Sequence, residues 1–206
     1  MYSKFLALSL FFILIMNSHP FAQYSKQDST LKNYFIGSTF FMLGNLDSKD
    51  RPDFAQLNIG YRLTDSDIIS LEVKTWKYTQ PLGIQYGNSF GSSKEKFPGY
   101  IREFGVALAY QKFLWKGMYT GIHIMNAWQS FVDENDLKID NGYQIFNTYR
   151  LGYHFKLFNN KFFIEPSIAI THRPYHTRMP DSFKRKDDQW GKFFFGEPGL
   201  HFGYNF

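Results

Sequence analysis

Lys192-Phe193-Phe194-Phe195-Gly196-Glu197-Pro198-Gly199-Leu200-His201-Phe202-Gly203-Tyr204-Asn205-Phe206 is the stretch that decides the architecture. Taken in twos back from Phe206, one register holds Phe206, Tyr204, Phe202, Leu200, Pro198, Gly196 and Phe194. The other holds Asn205, Gly203, His201, Gly199 and Glu197. Side chains on a β-strand alternate between two faces, so this is a strand with one apolar, aromatic face and one small, polar or charged face.

Working back from it, the same period of two recurs. Lys161 to His172 sets Ile164, Pro166, Ile168 and Ile170 against Glu165, Ser167 and Thr171. Gly142 to Leu157 sets Tyr149, Leu151, Tyr153 and Phe155 against Arg150, Gly152, His154 and Lys156. Met118 to Trp128, Tyr100 to Phe113, Ile68 to Tyr78 and Phe54 to Leu63 alternate in the same way. In Tyr34 to Gly44 polar positions are too few to fix the facing. The connections alternate in length. Thr64–Asp67, Leu114–Gly117 and Phe158–Asn160 are tight, whereas Asn45–Asp53, Thr79–Gly99, Ser130–Asn141 and Arg173–Gly191 are long. The expectation is an all-β fold, an eight-stranded antiparallel up-and-down transmembrane β-barrel over residues 24–206.

Whole-chain properties agree. The 206 residues suit one domain, and aromatics make up 20% of them, with 24 Phe and 14 Tyr. Such residues favour strands and membrane interfaces. Mean hydropathy is only −0.35, because alternation averages apolar against polar. The absence of cysteine excludes disulfides, thiolate metal sites, a cysteine nucleophile and a lipidated N-terminal cysteine. The net charge of +5 comes from Lys and Arg scattered among Asp and Glu, which argues against a nucleic-acid partner. Met1 to Gln23 reads as a cleaved signal peptide: Lys4 in the charged region, Phe5 to Met16 as the apolar run, and a cut beside Ala22 or Gln23.

These features resemble the small outer-membrane β-barrels of Gram-negative bacteria, in which a terminal aromatic, usually Phe, is the assembly signal. Here that role falls to Phe206 with Tyr204. The Ala22-Gln23 exit and the wealth of Tyr and Phe are similar to Bacteroidota members of that group. The resemblance implies a monomer in the cell outer membrane, with tight turns in the periplasm and long loops outside. Its expected partners are the barrel-assembly machinery, outer-membrane lipid and lipopolysaccharide. No cofactor is expected. A lipocalin-like barrel also has eight strands, but its apolar face points inward.

The polar register supplies the candidate site. Arg62, Lys74, Arg150 and Lys156 against Glu72, Glu103, Glu165 and Glu197 give four charges of each sign, joined by His201. The lumen of an eight-stranded barrel only just holds side chains, and unpaired buried ions cost several kcal/mol. A salt-bridged structural network, with Glu165, Glu197 and His201 held by Arg150 and Arg62, is therefore expected in place of an ion channel or an acid–base site. The repeated dipeptides Glu165-Pro166 and Glu197-Pro198 mark irregularities or bulges.

His172 and His176 flank Pro174, which spoils metal-ligand spacing. The His-x-Ser of the lipid A deacylases is missing, since Pro174 stands two residues after His172. The palmitoyltransferase barrels find no convincing match either. Asp133-Glu134-Asn135-Asp136 lacks the spacing of a calcium loop. Arg173, Arg178, Lys184, Arg185 and Lys186 make one loop basic and are the candidate contacts for lipopolysaccharide phosphates. The reading is a structural or interaction barrel that presents its loops. The alternatives are an outer-leaflet lipid-modifying enzyme and a transporter of small hydrophobic molecules, which needs an apolar lumen or a lateral gap.

Overall fold

The alternating segments pair into one antiparallel sheet in the computed structural model, described for residues 32–47, 51–81, 94, 96–189 and 191–206. The signal segment Met1–Gln23 lies outside the described residues. The strands are β1 (Tyr34–Thr39), β2 (Ala55–Arg62), β3 (Asp67–Tyr78), β4 (Tyr100–Trp115), β5 (Met118–Val132), β6 (Lys138–Tyr153), β7 (Phe155–Leu157), β8 (Phe162–His176) and β9 (Phe193–Asn205). Each pairs with its neighbour in sequence except β6 with β7, both of which pair with β8, and β1 pairs with β9, so the sheet closes on itself. Because β7 continues β6 past His154, the ring has eight strands.

The faces follow the sequence pattern. Leu108 is 66% exposed, Ile168 56% and Leu71 48%, whereas Glu103 and Ala107 on the other face are 1% and 3% exposed. The apolar face is outside and the polar face inside, the reverse of a lipocalin. Small inward residues make room for large ones. A Cβ on Gly60 would fall 1.9 Å from the Phe35 ring.

The structure revises the reading of several segments. The first strand ends at Thr39, and Phe40–Leu46 forms a 3-10 helix in place of the expected run to Gly44. The Thr39 hydroxyl accepts the Phe41 N–H (3.3 Å). Asn45 then donates to the Phe54 carbonyl and accepts the Phe54 N–H, both at 2.7 Å, which ties the turn to the start of β2 through a side chain. The long loop expected over Ser130–Asn141 is mostly strand. Asp133 accepts the N–H groups of Asn135 and Leu137 (2.8 and 2.9 Å) and closes a short turn, so the acidic run is turn chemistry.

The closing strand contains one residue too many. Ala169 faces Glu197 but Ile170 faces Phe195, which leaves Gly196 unpaired at φ +82°. This is a β-bulge, and the positive φ suits glycine. Beyond it the faces exchange. Phe193 and Phe195 are exposed, whereas the uninterrupted alternation would have put Phe194 and Gly196 on the apolar face.

Proline chemistry accounts for a second irregularity. The Asn205 N–H donates to the Lys161 carbonyl (2.7 Å), so odd residues at the start of β8 bond to β9 and Pro166 turns toward its other neighbour. The register Gly152↔Ser167 and Phe155↔Ile164 puts Tyr153 opposite it. Proline has no N–H to give, and the ladder lapses between β6 and β7.

Apolar clusters lie toward both ends of the lumen. Phe35, Ile68, Phe113, Tyr119 and Phe163 pack at the tight-turn end. At the loop end, Phe97, Ile101 and Phe131 receive Met179 and Phe183 from the β8–β9 connection. Phe183 sits on a short helix, Asp181–Asp187, and is fully buried.

Candidate functional site

Level with the tight-turn cluster and on toward the loops, the inward side chains form polar groups stacked along the barrel. Nearest the tight turns, the Arg62 guanidinium reaches Asn205 Oδ1 (3.4 Å), and Asn205 donates to the Asn160 carbonyl (2.8 Å). Next, Glu165 Oε1 meets His154 Nδ1 at 2.7 Å and accepts from Gln111 Nε2 at 3.0 Å. The His154 ring lies against Phe163 and Phe113, at centroid distances of 4.9 and 5.4 Å.

At mid-lumen Glu72 Oε2 lies 3.0 Å from His123 Nδ1, and Arg150 donates to the Ser167 hydroxyl at 2.8 Å. Arg150 extends across Gly199, where a Cβ would fall 2.1 Å from Nη1. These groups, with His201 and Glu165, border a cavity of about 30 Å³, room for one water.

Toward the loops, Glu103 accepts from four neutral donors: Trp76 Nε1 (2.9 Å), Tyr78 OH (3.2 Å), Gln129 Nε2 (3.1 Å) and Gln144 Nε2 (2.7 Å). Three of the four converge on Oε2 and one, from Trp76, reaches Oε1, so Oε2 is fully engaged. Lys74 projects over the Trp76 ring at 5.4 Å.

The sequence candidates thus separate. Arg62, Glu72, Glu103, Arg150 and Glu165 are buried and share the lumen. His201 joins the mid-lumen group. Glu197 is half-exposed beside the bulge. Lys156 is exposed near the tight turns. The buried carboxylates are held by His, Gln, Trp and Tyr more than by the expected arginines. The alternation places Gln111 and His123 on the polar register of the fourth and fifth segments; continued along each strand, it also finds Trp76, Tyr78, Gln129 and Gln144.

The basic loop also divides. Arg173 is buried and forms a two-pronged ion pair with Asp187, with Nη1 2.7 Å from Oδ1 and Nη2 against Oδ2. This pair anchors the Phe183 helix across the mouth and removes Arg173 from any outer surface. Arg178 pairs with Asp181 at 3.5 Å, Lys184 with Asp188, and Lys186 donates to the Lys94 carbonyl. Arg185 is exposed.

Chemically the lumen is made for cohesion. His154 is buried between aromatic rings, and the Glu103 carboxylate is buried among four neutral donors. His172 stacks flat on Phe193 at 4.0 Å, and His176 Nδ1 bonds the Thr177 carbonyl. Among the described residues no three His, Asp or Glu side chains are grouped to hold a metal. Compared with known proteins, the chain matches no family model, no curated protein and no solved structure. At the ring seam Tyr34 and Phe206 exchange backbone hydrogen bonds of 3.1 and 2.9 Å, and Phe206 stacks on Tyr34 and Tyr204.

Proposed function

We propose that this chain is an outer-membrane β-barrel of structural or interaction type, whose long loops face outward and whose lumen conducts nothing. The observation that carries the reading is the pairing of an apolar exterior with a side-chain-filled polar interior. Aromatic and aliphatic residues on every wall strand suit hydrocarbon. Closure of the ring suits a medium with no water to satisfy a free sheet edge. Buried apolar clusters toward both ends of the lumen suit a barrel that passes no solute. Phe206 at the β1–β9 seam suits a signal read during barrel closure.

Fractionation of cells expressing the chain tests the location. The protein is expected in outer-membrane fractions, with a heat-modifiable gel shift and no conductance in planar bilayers; recovery as soluble periplasmic protein would sink the reading. Cysteines placed by Arg185→Cys and Asp65→Cys test the orientation. An impermeant maleimide should label the first from outside intact cells and miss the second. Deletion of Phe206 should leave degraded or periplasmic protein.

A further inference from the structure

The outer face of the wall changes character in level rows. Cross-strand registers join Ile59, Leu71, Leu108 and Ile124, and one level nearer the loops Leu57, Val73 and Val106. The next level holds Phe104, Trp128 and Tyr143 on β4, β5 and β6. Their ring centroids lie 6.1 and 6.0 Å apart. The level after that is polar. Lys77 faces Arg102, Arg102 faces Ser130, and Ser130 faces Asn141.

Two charged rows bound the band between. On β3 the outward residues from Asp67 to Lys77 are Ile69, Leu71, Val73 and Thr75. On β4 those from Lys112 to Arg102 are Tyr110, Leu108, Val106 and Phe104. Neither set carries a charge. Asp67 faces Lys112 and Lys77 faces Arg102, so the rows are ten residues apart on both strands, about 34 Å along the chain. At the tilt usual in membrane barrels that is a height of about 26 Å, close to the apolar band such barrels present to lipid.

The rows differ in sign. On the turn side one cation meets one anion: Lys112 lies 2.9 Å from Asp67, which also accepts the Tyr110 hydroxyl. On the loop side, among the described residues, three cations share one carboxylate. Arg51, Lys77 and Arg102 lie 3.2, 3.5 and 3.1 Å from Asp53. Three such side chains carry more donors than two carboxylate oxygens can accept. Lys77 and Arg102 also stand directly opposite each other, an arrangement that repels. Asp136 is the next carboxylate outward, across the Tyr100 hydroxyl from Arg102. The β8–β9 loop, by contrast, matches its cations within itself, Arg173 with Asp187, Arg178 with Asp181 and Lys184 with Asp188.

We propose that Lys77 and Arg102 bind the phosphate of a lipid headgroup in the loop-side leaflet, whose acyl chain lies along Phe104, Trp128 and the apolar levels below. The assignment rests on the membrane reading above. The test inserts the barrel in phosphatidylcholine liposomes that contain phosphatidic acid with a diazirine near the glycerol end of its acyl chain. After irradiation the cross-linked peptides are mapped. Phosphatidylcholine with the same diazirine, whose phosphate already has its own ammonium, is the comparison. The turn-side row of the same two strands is the internal reference.

Phosphatidic acid should label peptides containing Lys77 and Arg102 about tenfold over those containing Asp67 and Lys112. Phosphatidylcholine should label the two levels alike. Lys77→Gln combined with Arg102→Gln should abolish the preference, and Lys112→Gln should leave it. Asp53→Asn, which removes the competing carboxylate, should raise it. Equal labelling of both rows by phosphatidic acid would overturn the site while leaving the membrane reading intact. A preference that survives the double substitution would overturn the role of the two cations. Loss of the preference when inorganic phosphate is added would assign the row to free phosphate and overturn the lipid. Failure of the folded chain to insert would overturn the membrane reading and the site with it.

Discussion

Glu165-Pro166 on β8 and Glu197-Pro198 on β9 are the same dipeptide on adjacent strands, yet their environments are opposite. Glu165 is buried and held by His154 and Gln111. Glu197 is half-exposed and, among the described residues, unpartnered. Each proline turns its missing N–H away from the β8–β9 ladder. At Pro166 that costs one rung between β6 and β8, and a short strand resumes beyond. At Pro198 it falls on a seam that has already opened, where there is no rung to lose. The dipeptide does not determine its role; the neighbour facing the proline nitrogen does.

The comparison breaks most readily at the carboxylates. Glu165→Leu leaves His154 and Gln111 facing a buried void of partners, and loss of one member of such a group costs roughly 3–5 kcal/mol. Glu197→Leu should stay within about 0.5 kcal/mol, as for ordinary surface changes. Urea unfolding of both variants in the same micelles measures the difference; equal losses would show that the two sites are alike after all.

The second prediction sharpens the first. Replacing both partners of a buried bond by apolar groups can be nearly neutral. Glu165→Leu combined with His154→Leu should therefore be less harmful than the two single losses added together. Strict additivity would mean that His154 is held by its aromatic neighbours and the hydrogen bond is incidental.

The prolines give a smaller effect. Pro198→Val returns a donor to the open seam and should raise the fraction of higher-order species on unheated gels, following the general hazard of unprotected edges. Pro166→Val should give no such species, because its new N–H meets Tyr153 within the same barrel.

A loop carboxylate supplies the weakest case. Burial pushes the Asp53 carboxyl up, but Lys77 at 3.5 Å and Arg102 at 3.1 Å outweigh it and hold its pKa below the usual value. A depressed folded pKa stabilises above the unfolded value of about 4 and loses that stabilisation as pH falls through the folded one. Partly exposed pairs contribute about 0.5 kcal/mol. The deficit of Asp53→Asn in thermal midpoint should therefore be small at neutral pH and vanish on acidification below about pH 4.

Much of this was legible in the sequence, because a period of two survives any arrangement of the strands. Leu57, Ile59 and Tyr61 are outside and Asn58, Gly60 and Arg62 inside, as the alternation requires. Phe40-Phe41-Met42-Leu43 defeated it: a run apolar on both faces has no phase, and only Asn45 reaching Phe54 shows that the chain has left the wall. Partners were less legible than faces. Glu103 gathers Gln129 and Gln144 from 26 and 41 residues away, and nothing local distinguishes a glutamine that will meet a carboxylate from one that will meet water. The β8–β9 loop read as a basic surface because its charges outnumber Met179 and Phe183, the two residues that the mouth of the barrel takes in.

The single extra glycine at 196 acts on its strand as an inserted base acts on a reading frame. Every residue on its far side is transposed to the opposite face without any change in identity. Three consecutive phenylalanines make that transposition tolerable, since aromatic rings stand ready in both frames. Excising Gly196 alone would restore the frame: Phe195 would follow Glu197 directly and still face Ile170, so Phe193 and Phe195 would stay outward and Phe194 inward. Straightening the strand with Gly196 kept is what would turn Phe193 and Phe195 inward and Phe194 outward. Only that straightening would divide the stacked His172–Phe193 pair across the wall.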